Sequence, residues 1–259
     1  MNYIPKVIHM IWFGNGIYPE NTKKCLESWK KNCPDYQIVL WNEDNCDLNE
    51  NNYVREAASV QKWAFVSDYF RLKILYEYGG VYIDTDVEIL KPIDEILNYK
   101  HVVTGYATAN MISSGFIAAE RKNIWIKSLL DYYNDRHFIR EDGSFDIKIN
   151  NLIISQLSKE LGLKLGESFC EYGNVTLMPR RFFQPYTSYP INWYKDRIED
   201  WKRFYDIDQD TYCIHYCAAS WNENRGIATR VKHIVRRSLP KEIIDRLEMI
   251  YYWKRNWKA

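Results

Sequence analysis

The sequence predicts an α/β domain in which helices cover a sheet whose first strands run parallel, with a ligand at the strands' carboxyl ends. Three observations carry that prediction. Short runs of β-favouring apolar residues alternate with helix-length segments through the first third of the chain. The order strand-helix-strand-helix-strand is that of parallel strands joined by helical crossovers. In such sheets ligands bind beyond the strands' carboxyl ends, and Trp12-Phe13-Gly14, Trp41-Asn42 and Asp84-Thr85-Asp86 all fall at predicted carboxyl ends.

The elements follow in order. Lys6 to Phe13 is an apolar run stopped by Gly14-Asn15-Gly16, a first core strand and its loop. Pro19 to Cys33 reads as a helix closed by Pro34, and Tyr36 to Trp41 as the second strand. A polar irregular segment reaches about Asn52. An interrupted helix then runs from near Val54 into the stretch Ser67–Pro92, SDYFRLKILYEYGGVYIDTDVEILKP, around which the chain is organised. Phe65, Val66, Phe70, Ile74 and Leu75 form its apolar face. Gly79-Gly80 ends it, since glycine takes the left-handed cap conformation cheaply. Val81-Tyr82-Ile83 is a third core strand. Asp84 and Asp86 follow at i and i+2, which in an extended segment places both on one face. Two adjacent like charges call for an offset, and a hard cation such as Mg²⁺ or Mn²⁺ supplies it through oxygen ligands while also holding phosphate.

Beyond this stretch the pattern predicts a short helix at Ile93–Asn98, a strand at His101–Ala107 and a loop at Ser113-Ser114-Gly115 entering another strand. Helices are expected over Asn123–Asn134 and Ile149–Leu161, and a strand over Val175–Met178. An aromatic and basic loop, Pro179–Pro190, precedes a late strand at Tyr212–Tyr216 that contains His215. Two basic helices, about Ile227–Arg237 and Lys241–Trp253, finish the chain. The organisation read from this is a catalytic domain over residues 1–225 and a basic, aromatic helical tail over 226–259.

Composition bounds the class. With 46% apolar and 27% charged residues the chain is of ordinary globular type. Its 21 Tyr, 10 Trp and 10 Phe suit flat ligand faces such as bases and sugar rings, as well as the core. Six cysteines show no CxxC pair, and no run approaches the ~20 apolar residues of a spanning helix. Without a secretory signal pattern, reduced thiols and a cytoplasmic location are expected. The net charge of +1 divides unevenly: residues 226–259 carry nine Lys/Arg against three Asp/Glu, leaving −5 on the rest. A basic tail with interfacial aromatics fits an anionic membrane surface at the cytoplasmic face, or a helix pair packed on the domain with a solvated basic side. No nucleic-acid module accompanies the charge.

The composite pattern AxxSDxxRxxxLxxxGGxYxDxD, here Ala64 to Asp86, resembles the DXD-containing sugar transferases of glycosyltransferase family 32. That family includes capsular-polysaccharide transferases and yeast-type mannosyltransferases, and the glucosylating clostridial toxins share the signature. IPKVIHMIWFG and SWKKNCPDYQIVLWNEDN also resemble the family's start. The resemblance implies a GT-A-type, Rossmann-like mixed sheet, a nucleotide-sugar donor, a bridging Mn²⁺ or Mg²⁺, retention of configuration, and a saccharide or lipid-linked acceptor. Asp84 and Asp86 match the motif carboxylates, and Asp68 and Arg71 the pair that contacts donor sugar and ribose. A simple i,i+3 ion pair is the alternative for that pair. Tyr82 matches a motif aromatic or packs the core. Trp12 and Phe13 are candidates for stacking on the base or presenting backbone to it, with a core role open for Phe13. His215 resembles the late residue that completes the metal site, and Ser220 and Trp221 resemble residues that touch the diphosphate. UDP-hexose is the expected donor, with GDP-mannose as the alternative.

Two rivals stand beside this reading. Haloacid-dehalogenase-like phosphatases also place DxD after a strand, but carry Thr or Val where Glu88 stands here, and on the first strand instead of the third. A non-catalytic carbohydrate- or membrane-binding protein on the same fold is the other. Intact Asp68, Arg71, Asp84 and Asp86 argue for chemistry.

Overall fold

The computed structural model describes residues 3–98, 100–185, 198, 202 and 205–218. The expected tail helices, like Ser220 and Trp221, lie outside the described residues. Seven strands form one mixed sheet in the order β2-β1-β3-β6-β5-β8-β7. They are β1 (Val7–Ile11), β2 (Gln37–Trp41), β3 (Gly80–Ile83), β5 (Val102–Thr108), β6 (Met111–Ala119), β7 (Cys170–Tyr172) and β8 (Val175–Met178). The helices are α1 (Glu20–Asn32), α2 (Asn52–Ser59), α3 (Trp63–Tyr78), α4 (Asp94–Leu97), α5 (Ile124–Asp131) and α6 (Asn150–Glu160).

The first three strands are parallel as expected, with Ile11 opposite Trp41 and His9 opposite Tyr82. Their carboxyl ends therefore share one edge. The parallel pattern stops at β6, which is antiparallel to both β3 and β5. Only Ala109 and Asn110 separate β5 from β6, and a two-residue connection joins antiparallel strands alone. The expected loop at Ser113-Ser114-Gly115 is absent: β6 runs unbroken through it. The irregularity is a bulge in β6 at that point, since Thr104 pairs with Ile117 but Tyr106 with Ile112, and the Thr104 hydroxyl lies 3.1 Å and 2.8 Å from the carbonyls of Ser113 and Phe116.

The two faces carry separate cores. Tyr53, Phe65, Phe70, Leu75, Trp125 and Ile154 pack one face under α2, α3, α5 and α6. Ile8, Trp29, Val81, Ile83, Val87 and Phe116 pack the other under α1. From that second face, α1 steadies β4 (Val87–Ile89): the Trp29 indole donates to Val87 O at 2.7 Å, and Ser28 Oγ accepts from Ile89 N at 3.0 Å. The partner of β4 is β9 (Cys213–His215), in a two-stranded antiparallel pair apart from the main sheet.

The helix-to-strand junction at Gly79-Gly80 sets the position of β3. Gly79 caps α3 with φ 67° and ψ −167°, positive in φ as expected but extended in ψ, so the chain turns directly into β3. Buried His9 on β1 donates from Nε2 to Gly79 O at 2.7 Å, and its Nδ1 accepts from the Trp41 indole at 3.1 Å. Burial holds the His9 pKa below its ordinary value, in keeping with this neutral tautomer. At Gly80, with φ 101°, a Cβ would lie 2.7 Å from Val7 O and 2.9 Å from His9 Nε2. Gly80→Ala should therefore cost at least about 2 kcal/mol, strain and overlap combined, seen as a lower denaturation midpoint in urea.

Candidate metal and donor site

Asp84 leaves the carboxyl end of β3 and Asp86 enters β4, with a tight turn between them: Val87 N donates to Asp84 O at 3.0 Å. The expectation that strand alternation aligns the two acids is corrected here. The turn swings both side chains to one side, because the chain must cross from the main sheet into the β4–β9 pair. His215, at the end of β9 opposite Val87, meets them there. Its Nε2 lies 3.6 Å from Asp84 Oδ2 and 3.3 Å from Asp86 Oδ1.

Each carboxylate is held by one oxygen and presents the other. Asp84 Oδ1 accepts from the Tyr82 hydroxyl at 2.6 Å and faces the Arg71 guanidinium at 3.3 Å. Asp86 Oδ2 accepts from Ala218 N at 2.6 Å, while Tyr216 N donates to Asp86 O at 3.0 Å. Cys217 between those donors has φ 52°, the reversal that lets both amides reach one residue. Asp84 Oδ2, Asp86 Oδ1 and His215 Nε2 remain directed at one another, the one set of three such ligands among the described residues.

This set fits a divalent cation. Ligand atoms about 3 Å apart span the edge of an octahedron around an ion bound at about 2.1 Å. Carboxylate with imidazole suits Mn²⁺-like ions. Gly115 clears the space: a Cβ there would lie 2.6 Å from the His215 ring and 3.0 Å from Asp84 Oδ2. Burial opposes the charge of Asp86, but His215 and the Ala218 amide keep its pKa below the usual carboxylate range. Burial alone would lower the His215 pKa, yet Cys217, Asp86 and Asp84 outweigh it and raise it to about 10. Without metal His215 is thus a cation paired to two anions; with metal it must give up that proton.

Arg71 links this set to Asp68. Both are buried on α3, with Arg71 Nη2 to Asp68 Oδ1 at 2.8 Å. Arg71 also donates from Nη1 to Ser114 O at 2.9 Å and lies over the Tyr82 ring at 4.6 Å. A surface ion pair is therefore excluded for these two residues. Burial raises the Asp68 pKa to about 6 even against Arg71. Tyr82 is a core residue by burial and a support for Asp84 by its hydroxyl.

Trp12 and Phe13 part company. The Trp12 indole donates to Gly16 O at 2.8 Å, meets Tyr18 edge-on, and lines a cavity of about 290 Å³ with Asn15, Ile17, Tyr18, Leu40 and Asn42. The Phe13 ring is spent in the core against Trp63 and Phe70, which corrects the expectation of a stacking face there. The sequence reading missed Ser114, Gly115, Asn150 and Asn151. Asn151 Oδ1 accepts from Ser114 N at 2.9 Å, and buried Asn150 at the start of α6 accepts at Oδ1 from the Tyr133 hydroxyl at 3.4 Å. A glycine inside an apolar strand run was the available signal for Gly115; two asparagines opening a helix carry none.

Two outcomes test this geometry. Gly115→Ala should weaken Mn²⁺ binding at least tenfold in calorimetry, because its methyl occupies the space shared by His215 and Asp84. In metal-stripped protein the His215 charge stabilises the fold fully below its unfolded pKa of about 6.5, and that contribution is lost as pH rises through about 10. The Tm advantage of wild type over His215→Gln, on the order of 5 °C at pH 6, should therefore shrink towards pH 10.

The chain is similar to known proteins over part of its length. Residues 19–103 match the family described as "Glycosyltransferase sugar-binding region containing DXD motif". Inositol phosphoceramide mannosyltransferase 1 of Schizosaccharomyces pombe is 29% identical over 154 residues, 54% of this chain and 47% of that protein. Human alpha-1,4-N-acetylglucosaminyltransferase is 23% identical over 247 residues, 88% of this chain and 61% of that protein. The chain thus spans about half of the length of these curated relatives. Among solved structures, the PaToxG glycosyltransferase is 22% identical, covers 61% of this chain and 70% of its own, and superposes with a TM-score of 0.46. Over residues 19–103, which hold Asp68, Arg71, Asp84 and Asp86, the chain is similar to the sugar-binding region of the DXD-containing glycosyltransferases.

Proposed function

We propose that the protein is a metal-dependent, retaining glycosyltransferase that moves a hexose from a nucleotide sugar, UDP-hexose in first place, to a saccharide or lipid-linked acceptor. The observation that carries this is the division of labour in the DXD turn. Asp84 and Asp86 each commit one oxygen to the protein and direct the other at His215. This happens at the carboxyl edge of the parallel strands, where Trp12 lines a cavity for a flat ring.

Asp84, Asp86 and His215 would hold Mn²⁺ or Mg²⁺. When bound, the ion offsets the charge that gathers on a departing diphosphate. Arg71 and Asp68 would hold the donor's sugar and ribose. In the transfer the bond from the sugar's anomeric carbon to the diphosphate oxygen breaks and its electron pair leaves with the diphosphate. The acceptor oxygen forms the new bond from the same face and passes its proton to the departing diphosphate, so no side-chain nucleophile is required. A relative named as a mannosyltransferase keeps GDP-mannose as the alternative donor.

A panel of nucleotide sugars with Mn²⁺, read by released nucleoside diphosphate, tests this. Hydrolysis or transfer is expected with one donor, abolished by EDTA and reduced at least about 100-fold in Asp86→Ala. Undiminished turnover under both conditions overturns the reading. Donor binding in calorimetry without any turnover would favour a non-catalytic carbohydrate-binding protein.

A further inference from the structure

The strand that delivers His215 is three residues long and, among the described residues, pairs with β4 alone. A two-stranded pair of that length is marginal by itself, so its placement needs other ties. Two are the amides of Tyr216 and Ala218 on Asp86. A third comes from Glu88, the middle residue of β4. Its side chain is 15% exposed, and the distant end of the chain takes both its oxygens. Oε2 accepts from the Tyr216 hydroxyl at 2.6 Å, and Oε1 from the Lys202 ammonium at 2.7 Å.

The setting makes a carboxylate an odd choice for stability. Cys25, Ile198, Tyr205, Ile214, Tyr216 and Ala218 form an apolar cluster beside it, and with the Lys202 side chain 43% exposed the ion pair contributes little to stability. What the carboxylate does supply is direction, because short charge-assisted hydrogen bonds tolerate little displacement. Tyr216 follows His215 in sequence, and its ring meets Tyr205 edge-on at 5.5 Å. A bond from Glu88 to the Tyr216 hydroxyl therefore sets how far β9 advances along β4, and with it where His215 stands.

We propose that Glu88 is a positioning residue of the metal centre: through Tyr216 and Lys202 it holds His215 at the spacing from Asp84 and Asp86 that lets one divalent cation take all three. This rests on the reading of those three residues as a metal site. Groups that orient metal ligands from behind typically contribute 10–100-fold in affinity. Glu88 does so here by fixing the strand that carries the imidazole.

The test uses the full chain and Mn²⁺ alone, followed by calorimetry and by loss of the free-ion EPR signal, with Tm recorded in parallel. Tyr216→Phe and Glu88→Gln should weaken Mn²⁺ binding about tenfold or more, with Lys202→Met intermediate. A purely structural Glu88 would lower Tm and leave the Mn²⁺ affinity of the folded protein unchanged, which overturns the inference. If Glu88→Gln does not fold, Tyr216→Phe decides, since it removes one hydroxyl and keeps the carboxylate with its lysine. Asp86→Ala separates the two levels. Its loss of binding beside unaltered Tyr216→Phe refutes the role of Glu88 alone. Wild type that binds Mn²⁺ no better than Asp86→Ala refutes the metal site and this inference together.

Discussion

Two carboxylates two residues apart in a tight turn concentrate negative charge at one point of the chain, and the surrounding structure is arranged to offset it. Arg71 and the Tyr82 hydroxyl take one oxygen of Asp84; the Ala218 amide takes one oxygen of Asp86; His215 faces what is left. These partners come from α3, β3, the segment after β9 and β9 itself. Half of each carboxylate is satisfied by the protein and half is reserved. A site built in this way is preorganised, since the parts that must not move are already bonded and only the free oxygens await a ligand.

Close approach is the second constraint. Gly80 lets β3 pass between Val7 O and the His9 ring, and Gly115 lets β6 pass under His215 and Asp84. In both places a methyl group would lie within 3 Å of its neighbours. The first glycine sets the depth of the strand that carries the acids. The second leaves room between the acids and the imidazole. One serves the sheet and the other the site, and both follow from the absence of a side chain at a crowded point.

The two-stranded β4–β9 pair is what distinguishes this molecule from a plain helix-covered sheet. It sits off the main sheet, anchored by Trp29, Ser28 and Asn32 of α1 to the backbone of β4. It brings residues after position 204 back to a turn made before position 90. Among the described residues no helix is long and apolar enough to cross a membrane, and all six cysteines are free thiols. The apposition therefore depends on hydrogen bonds and burial, without a covalent staple.

The first three strands, their helices, the Gly-Gly stop and the DXD acids were legible in the sequence, because they are local. Apolar periodicity, cap chemistry and turn residues act within about one helix length of the chain. The antiparallel entry of β6 was hidden, since it depends on a two-residue connection at Ala109-Asn110 that carries no glycine signal. Phe13 could be read as core or as ligand face, and only the positions of Trp63 and Phe70 decide it. By itself the sequence singled out Asp68, Arg71, Asp84, Asp86 and His215, which the fold brings together in one chain of ion pairs. Tertiary structure alone decided which oxygen of each acid faces His215, that a turn instead of a strand aligns them, and that Gly115 and Glu88 stand behind them. Side-chain identity is written along the chain, but hydrogen-bond partners 43 to 132 residues apart are assigned only when the sheet closes.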